Sequence, residues 1–292
     1  MPTALVTGAA GFTGKYVVAA LAHRGYRVIG VGLGEPSGDE WIACDLTNSA
    51  ETSKKLSGIN PGVVVHLAAL AFVGEGNPED FYRVNVVGTM NLLEALEGMG
   101  SHPARVLIPS SANVYGNTAG ELTENTCPAP VNHYAASKLA MEHMVKTWFD
   151  RLPIIITRPF NYTGPGQDER FVVPKIVSHY KRRASTIKLG NIDVERDFSD
   201  VEDVVEAYMR LLESDAHSEV ANICRGSTVS VAGIIDEMNS IAGYEIKIES
   251  QADLVRRNDI SRLLGSNQKL RQLTGFAPST PIRETLRKMY AA

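Results

Sequence analysis

The sequence predicts an α/β protein with a doubly wound parallel sheet and a smaller, partly discontinuous C-terminal lobe. Three observations predict it. A glycine-rich turn joins the first apolar run to a helical pattern. Strand and helix patterns then alternate to about residue 158, the signature of a parallel sheet covered on both faces. Beyond Pro159 the pattern changes to loops rich in Gly, Pro and Asn with shorter elements.

The first strand, within Pro2–Thr7, runs into Gly8-Ala9-Ala10-Gly11-Phe12-Thr13-Gly14, and a helical pattern extends from Lys15 to about Arg24. Strand, glycine turn and helix are the context a dinucleotide fingerprint needs, here spaced G-x-x-G-x-x-G. Gly8 permits the tight turn, Gly11 lets backbone approach a pyrophosphate, and Gly14 lets the helix pack closely on the strand. The helix N-terminus, through Phe12 and Thr13, offers unpaired N–H groups to phosphates. The sheet is therefore expected to be of the Rossmann type.

The second strand, Tyr26–Val31, ends at Gly32, where an acid would bind the ribose 2′-hydroxyl of NAD. Glu35 and Asp39 lie further out, and no arginine stands there for a 2′-phosphate. Absence of the acid removes a repulsion and favours NADPH, with NADH possible. After the strand Trp41–Cys44, Asp45 and Leu46 are placed near the adenine. Further strands are predicted at Val63–Leu67, Arg105–Pro109 and Ile154–Thr157. Helices are predicted near 48–58, 79–99 and 132–150, then near 171–183, 200–213, 230–242 and 281–290. Residues 1–158, with some later returning elements, form the dinucleotide-binding domain; residues 159–292 form mainly the second lobe.

At 292 residues and 44% hydrophobic content the chain can bury a large core. A net charge of −4 and pI near 6.0 argue against nucleic-acid and membrane-surface binding. The one dense basic run, Lys181-Arg182-Arg183, reads as a solvated helix end. Three scattered cysteines (Cys44, Cys127, Cys224) fit a reducing compartment and form no metal motif. With no signal peptide and no apolar run near membrane length, a cytoplasmic protein is expected.

Tyr134 and Lys138 stand one helical turn apart, on one face. An ammonium beside a phenol favours the phenolate, so Lys138 is expected to lower the pKa of Tyr134 and make it a proton donor and acceptor near neutrality. Ser111 follows the strand Arg105–Pro109, and a hydroxyl at a strand's carboxyl end faces the ligand crevice. It could hydrogen-bond a carbonyl oxygen that Tyr134 protonates. Alternatively Ser110 and Ser111 end the strand by bonding backbone.

Together T-G-A-A-G-F-T-G, H-L-A-A (His66–Ala69), S-S-A-N-V-Y-G (Ser110–Gly116) and Y-A-A-S-K (Tyr134–Lys138) resemble the extended short-chain dehydrogenase/reductase family, over nearly the whole chain. The resemblance implies a catalytic triad of Ser111, Tyr134 and Lys138, with Tyr134 and Lys138 also on the nicotinamide side. Leu67, Ala68 and Ala69 would line the cofactor, and Asn85 would have a structural or relay role. One departure is His133, where a proline is frequent.

The C-terminal half is similar to the nucleotide-sugar branch, and to members acting on GDP-sugars. Arg158–Gln167 resembles the substrate-facing loop, with Asn161 near sugar or phosphate. Lys188-Leu189-Gly190-Asn191 and Arg196–Val201 resemble the segment in which Leu189 and Asn191 meet guanine and Arg196 the nucleotide. By a later match Arg256 would contact the diphosphate and Asp259 the ribose, with Asp standing for Glu and Arg for Pro. Lys175 is a further phosphate candidate, and Asn113 would contact the sugar.

Three reactions then compete. Family dehydratases carry an acid where Asn113 stands, and asparagine cannot exchange a proton. Relatives that epimerise before reducing use a cysteine there, and a histidine where Phe171 or its neighbours lie. The expected activity is reduction of the C4 ketone of a GDP-4-keto-6-deoxyhexose. A 4-epimerase with tightly held NAD needs only the triad and stays open, as does a non-catalytic NADP-binding sensor. The apolar faces carrying Val84, Val87, Leu92, Leu93 and Leu96, and Leu139, Met141, Met144 and Val145, suggest a homodimer through a four-helix bundle.

Overall fold

The computed structural model describes residues 1–33, 40–71, 77–251 and 261–292. The chain opens with β1 (Thr3–Thr7), α1 (Phe12–His23), β2 (Arg27–Gly32), β3 (Trp41–Ala43), α2 (Ser49–Leu56), β4 (Val63–His66), α3 (Pro78–Tyr82), α4 (Gly88–Glu97) and β5 (Arg105–Pro109). It continues with β6 (Glu121–Leu122), α5 (His133–Lys146), β7 (Ile154–Pro159), β8 (Asn161–Thr163), α6 (Val172–Lys181), β9 (Thr186–Leu189) and β10 (Glu195–Asp200). Then come α7 (Val201–Glu213), β11 (Glu219–Ile223), β12 (Thr228–Ser230), α8 (Val231–Ala242), β13 (Lys247–Ser250), β14 (Arg262–Gly265), α9 (Gln268–Thr274) and α10 (Ile282–Ala291).

Seven strands form one sheet in the order β11-β7-β5-β4-β1-β2-β3, and every pairing is parallel. From β1 the chain winds outward through β2 and β3, then returns to β4 and winds the other way. The reversal lies between β1 and β4, and ligands of such sheets bind outside the carboxyl ends of strands at that point. Strands covered on both faces read as continuous apolar runs; all four residues of β4 and all six of β7 are buried.

One face packs Ala4, Val6, Val65 and Leu107 against α1 and α7, with Val17, Leu21, Val204 and Tyr208 in the contact. The other packs Leu5, Val64, Val106 and Ile108 against α4 and α5 through Leu92, Leu96, Met141 and Val145. A separate core under α6, α8 and α10 holds Val173, Ile176, Tyr180, Ile234, Met238 and Leu286.

Two differences from the sequence reading matter. The helix expected over 79–99 is broken by a π-helical turn at Arg83–Val87. Such turns often occur at functional sites, and this one contains the buried Asn85. Second, α9, which the periodicity misses, packs on the first body through Leu270, beside α7 and β11. The apolar residues counted toward a dimer face are largely consumed by the core: Leu92, Leu93, Leu96 and Val145 are fully buried and Met141 is 1% exposed.

Candidate active site

A cleft of about 350 Å³ opens at the carboxyl ends of β1, β4, β5 and β7. It is lined by the glycine turn (Gly8, Gly11, Phe12, Thr13, Gly14), by Leu67 and Ala69 after β4, and by Ser111, Asn113, Tyr134, Lys138 and Asn161. Residues far apart in sequence therefore converge on one space.

The glycines are required by geometry. Gly8 has φ +68°, and a Cβ there would lie 2.7 Å from the Ala68 nitrogen. A Cβ on Gly14 would lie 2.3 Å from the Gly8 carbonyl oxygen. The N-cap of α1 is Gly11, with no capping side chain, so the first N–H groups of the helix keep their donors for an anion. The Ser110 hydroxyl, in the cleft wall, is buried without a hydrogen-bond partner among the described residues. Open helix terminus, crowded glycines and a waiting hydroxyl fit a dinucleotide.

Asn132 caps α5 through its side chain, which accepts from Ala135 N at 2.9 Å. This starts the helix one residue before Tyr134. Tyr134 and Lys138, 8% and 5% exposed, then face the cleft one turn apart. Ser111 caps the short 3₁₀ turn Ala112–Tyr115, its Oγ accepting from Asn113 N at 3.2 Å, and lines the same cleft as Tyr134. The backbone-bonding reading of this serine is met through the Asn113 N–H.

The expected pKa of Tyr134 is corrected. Burial pushes the phenol up to about 12, because phenolate loses its hydration; the nearby Ser111 hydroxyl only partly offsets this. Burial also lowers Lys138 to about 8, against the support of the Glu142 carboxylate. The Lys138 ammonium donates to the Pro109 carbonyl at 2.9 Å and does not act as the dominant partner of the phenol. Without bound ligands, Tyr134 is held as the acid.

Several predicted residues lie elsewhere. Gly32 packs under the Trp41 ring, Asp45 accepts from the Thr47 backbone and hydroxyl, and Leu46 is buried. Ala68 N donates to Thr7 Oγ1 at 3.1 Å behind the cleft wall. In the second lobe Lys175 donates to the Lys188 carbonyl at 2.8 Å. Leu189 is buried in that lobe's core, Asn191 is exposed, and Arg196 donates to the Glu195 carbonyl. None of these lines the main cleft. Arg256 and Asp259 lie outside the described residues. His133 is exposed beside Tyr82 and does not line the cleft.

Of the loop Arg158–Gln167 the sequence singled out only Asn161; Phe160, Tyr162 and Gln167 line the cleft with it. Tyr162 hydrogen-bonds Thr13 at 2.9 Å and stacks on Phe12, tying β8 to the glycine turn. Sequence reasoning missed a buried ion pair behind α5. Arg158 meets Glu142 at 2.6 and 2.9 Å and donates to the Tyr115 hydroxyl at 2.9 Å. The detectable signal was a charged residue inside the apolar run Ile154–Pro159.

A family model described as GDP-mannose 4,6 dehydratase matches residues 5–289. The chain belongs to this family of extended short-chain dehydrogenase/reductases. Like other members of this family, it is an NAD(P)-dependent enzyme. It is 37% identical over 289 residues to GDP-6-deoxy-D-talose 4-dehydrogenase of Aggregatibacter actinomycetemcomitans, covering 98% of this chain and 96% of the relative. It is 34% identical over 302 residues to GDP-6-deoxy-D-mannose reductase of Pseudomonas aeruginosa, covering 97% and 94%. Among solved structures, RMD from Pseudomonas aeruginosa complexed with NADPH superposes with a TM-score of 0.88 at 33% identity, covering 100% and 98%. A Burkholderia cenocepacia J2315 protein provisionally described as an epimerase gives 0.93 at 45%, covering 100% and 99%. No helix among the described residues is long and apolar enough to cross a membrane.

Proposed function

We propose that this family member reduces the C4 ketone of GDP-4-dehydro-6-deoxy-D-mannose to GDP-D-rhamnose with NADPH. The observation that carries this reading is what the cleft lacks: among the described residues no aspartate, glutamate or cysteine lines it. Dehydration across C5 and C6, or epimerisation at C3 and C5, needs a further group that exchanges a proton at carbon. Asn113 cannot do so, and His66 has both ring nitrogens engaged. What remains is proton delivery to the C4 oxygen.

When bound, the dinucleotide supplies a hydride to C4. Tyr134, protonated at neutral pH, donates its phenolic proton to the developing alkoxide, and the Ser111 hydroxyl hydrogen-bonds the same oxygen. Lys138 places positive charge near the phenolate left behind. Asn161, Lys175, Leu189, Asn191, Arg196, Arg256 and Asp259 are the proposed GDP-sugar contacts. The sugars named for the two relatives are C4 epimers. The shared step is thus reduction at C4, and the ketone face presented to the hydride sets the product. We also read the outer faces of α4, with the π-helical turn before it, and of α5 as a pairing surface for a second copy; Val87, 37% exposed, and the half-buried Met90 and Met144 support this.

The test is incubation with the keto-sugar nucleotide and NADPH, following cofactor oxidation and the C4 configuration of the product by NMR. One NADPH should be consumed per product. Tyr134→Phe should retain GDP binding and lose turnover by roughly 10²–10⁴, the usual contribution of a general acid. Wild-type rates in that variant would end the mechanism, and UDP or dTDP binding as tightly as GDP would end the guanine assignment. A second reading, supported by the Burkholderia relative, is a 4-epimerase holding NAD; it would interconvert C4 epimers with no net cofactor oxidation.

A further inference from the structure

His66, the last residue of β4, is 3% exposed and belongs to none of the catalytic steps above. Its ring is engaged on both sides. Nδ1 lies 2.6 Å from Thr7 Oγ1, and Nε2 lies 2.9 Å from Thr89 Oγ1. The flanking bonds settle which nitrogen carries hydrogen. Thr89 donates its only hydroxyl hydrogen to the Asn85 carbonyl at 2.7 Å. Its oxygen can therefore only accept from His66, so Nε2 is protonated. Burial and the nearby Lys138 ammonium keep the ring neutral, with its pKa near 3. Nδ1 is then bare and accepts from Thr7, whose oxygen accepts from Ala68 N at 3.1 Å.

The result is one directional chain: Ala68 N–H to Thr7, Thr7 to His66, His66 to Thr89, Thr89 to the Asn85 carbonyl. Asn85 continues it, since its side chain accepts from Leu70 N at 2.9 Å and donates to Ser137 Oγ at 3.0 Å. Ser137 donates to the Tyr134 carbonyl at 2.8 Å. Ala68 and Leu70 are thus anchored on either side of Ala69, which lines the cleft. Thr7, Thr89 and Ser137 are fully buried and Asn85 is 1% exposed, so the bonds from Thr7 through His66 and Thr89 to Asn85, and from Asn85 through Ser137 to Tyr134, form where water does not compete.

We propose that His66 is a positioning residue: locked as the neutral Nε2–H tautomer, it joins the backbone edging the dinucleotide site to the π-helical turn beneath Tyr134. This rests on a dinucleotide occupying the cleft. The wild-type chain tests the tautomer directly. In long-range 1H–15N spectra, one of the seven histidines, identified by its loss in His66→Asn, should show a protonated Nε2 and a bare Nδ1 from pH 7 to pH 5. An Nδ1–H tautomer, or an imidazolium at pH 6, overturns the proposal.

The positioning role is read from dinucleotide affinity by NADPH fluorescence, under conditions where circular dichroism shows each variant folded. Thr7→Val and Thr89→Val keep shape and break the chain; each should raise Kd about tenfold, the upper end of a lost hydrogen bond. Thr7→Ser and Thr89→Ser, which keep the hydroxyl, should restore affinity. Because either break interrupts the same chain, the double valine variant should be less impaired than the product of the single effects. Unchanged Kd in the valine variants, or multiplicative effects, refutes the role. If the wild-type chain bound neither NADPH nor NADH, the dinucleotide reading would fail while the spectra still decided the tautomer.

Discussion

Lys138 is held in the protein at a measurable cost, and removing its charge exposes that cost. Its ammonium is 5% exposed, with one hydrogen bond to the Pro109 carbonyl. Burial lowers its pKa from 10.5 to about 8, roughly 3 kcal/mol of disfavoured charge at neutral pH. Lys138→Met removes that penalty and loses the bond to Pro109, worth about 1 kcal/mol. The ligand-free variant should thus be more stable than wild type by roughly 2 kcal/mol at pH 7. The sign with pH follows from the direction of the shift. Below pH 8 the lysine is charged in both folded and unfolded chains, and the penalty is complete. Between about 8 and 10.5 the folded lysine is neutral while the unfolded one still holds its proton, so wild-type stability rises relative to the variant. Urea unfolding of both proteins at pH 7 and pH 10 measures this, alongside ketone reduction, which the variant should lose. A methionine variant less stable than wild type at pH 7, or a gap that does not narrow toward pH 10, would refute the desolvation argument.

Glu142→Gln leaves the Arg158 guanidinium buried without its carboxylate. Breaking such a pair on one side costs about 3–5 kcal/mol, seen as a lower midpoint in thermal unfolding; a change under 1 kcal/mol would mean that Tyr115 alone satisfies Arg158. Gly14→Ala forces a methyl into the Gly8 carbonyl and should destabilise the chain by about 1–3 kcal/mol. It should also weaken NADPH binding at least tenfold in the variant that remains folded, whereas undiminished binding by titration would place the pyrophosphate elsewhere.

Much of the site was legible because its parts are local. The glycine turn is read from seven consecutive residues whose spacing dictates where backbone must approach closely. Tyr134 and Lys138 share a face because four residues make about one helical turn. Ser111 could be placed because a parallel strand delivers the residues that follow it to one known edge. The loop Arg158–Gln167 was legible only by resemblance, and the contact of Tyr162 with Thr13 and Phe12 was not, since it depends on how the segment after β7 turns back over the glycine loop. Leu92, Leu93 and Leu96 suggested a surface for a second copy, yet a helix apolar enough to dimerise is equally apolar when it covers its own sheet.

The amino-acid order by itself determined the parallel α/β layering, the glycine-rich turn and the register of tyrosine and lysine, because each depends on periodicity within one or two neighbouring elements. Only the tertiary structure decided the protonation of the site. Tyr134 is kept as an acid, His66 is fixed in one tautomer, and Glu142 finds Arg158, because solvation and hydrogen-bond partners are set by whatever folds over a group. That depends on residues distant in the chain, which no local pattern encodes.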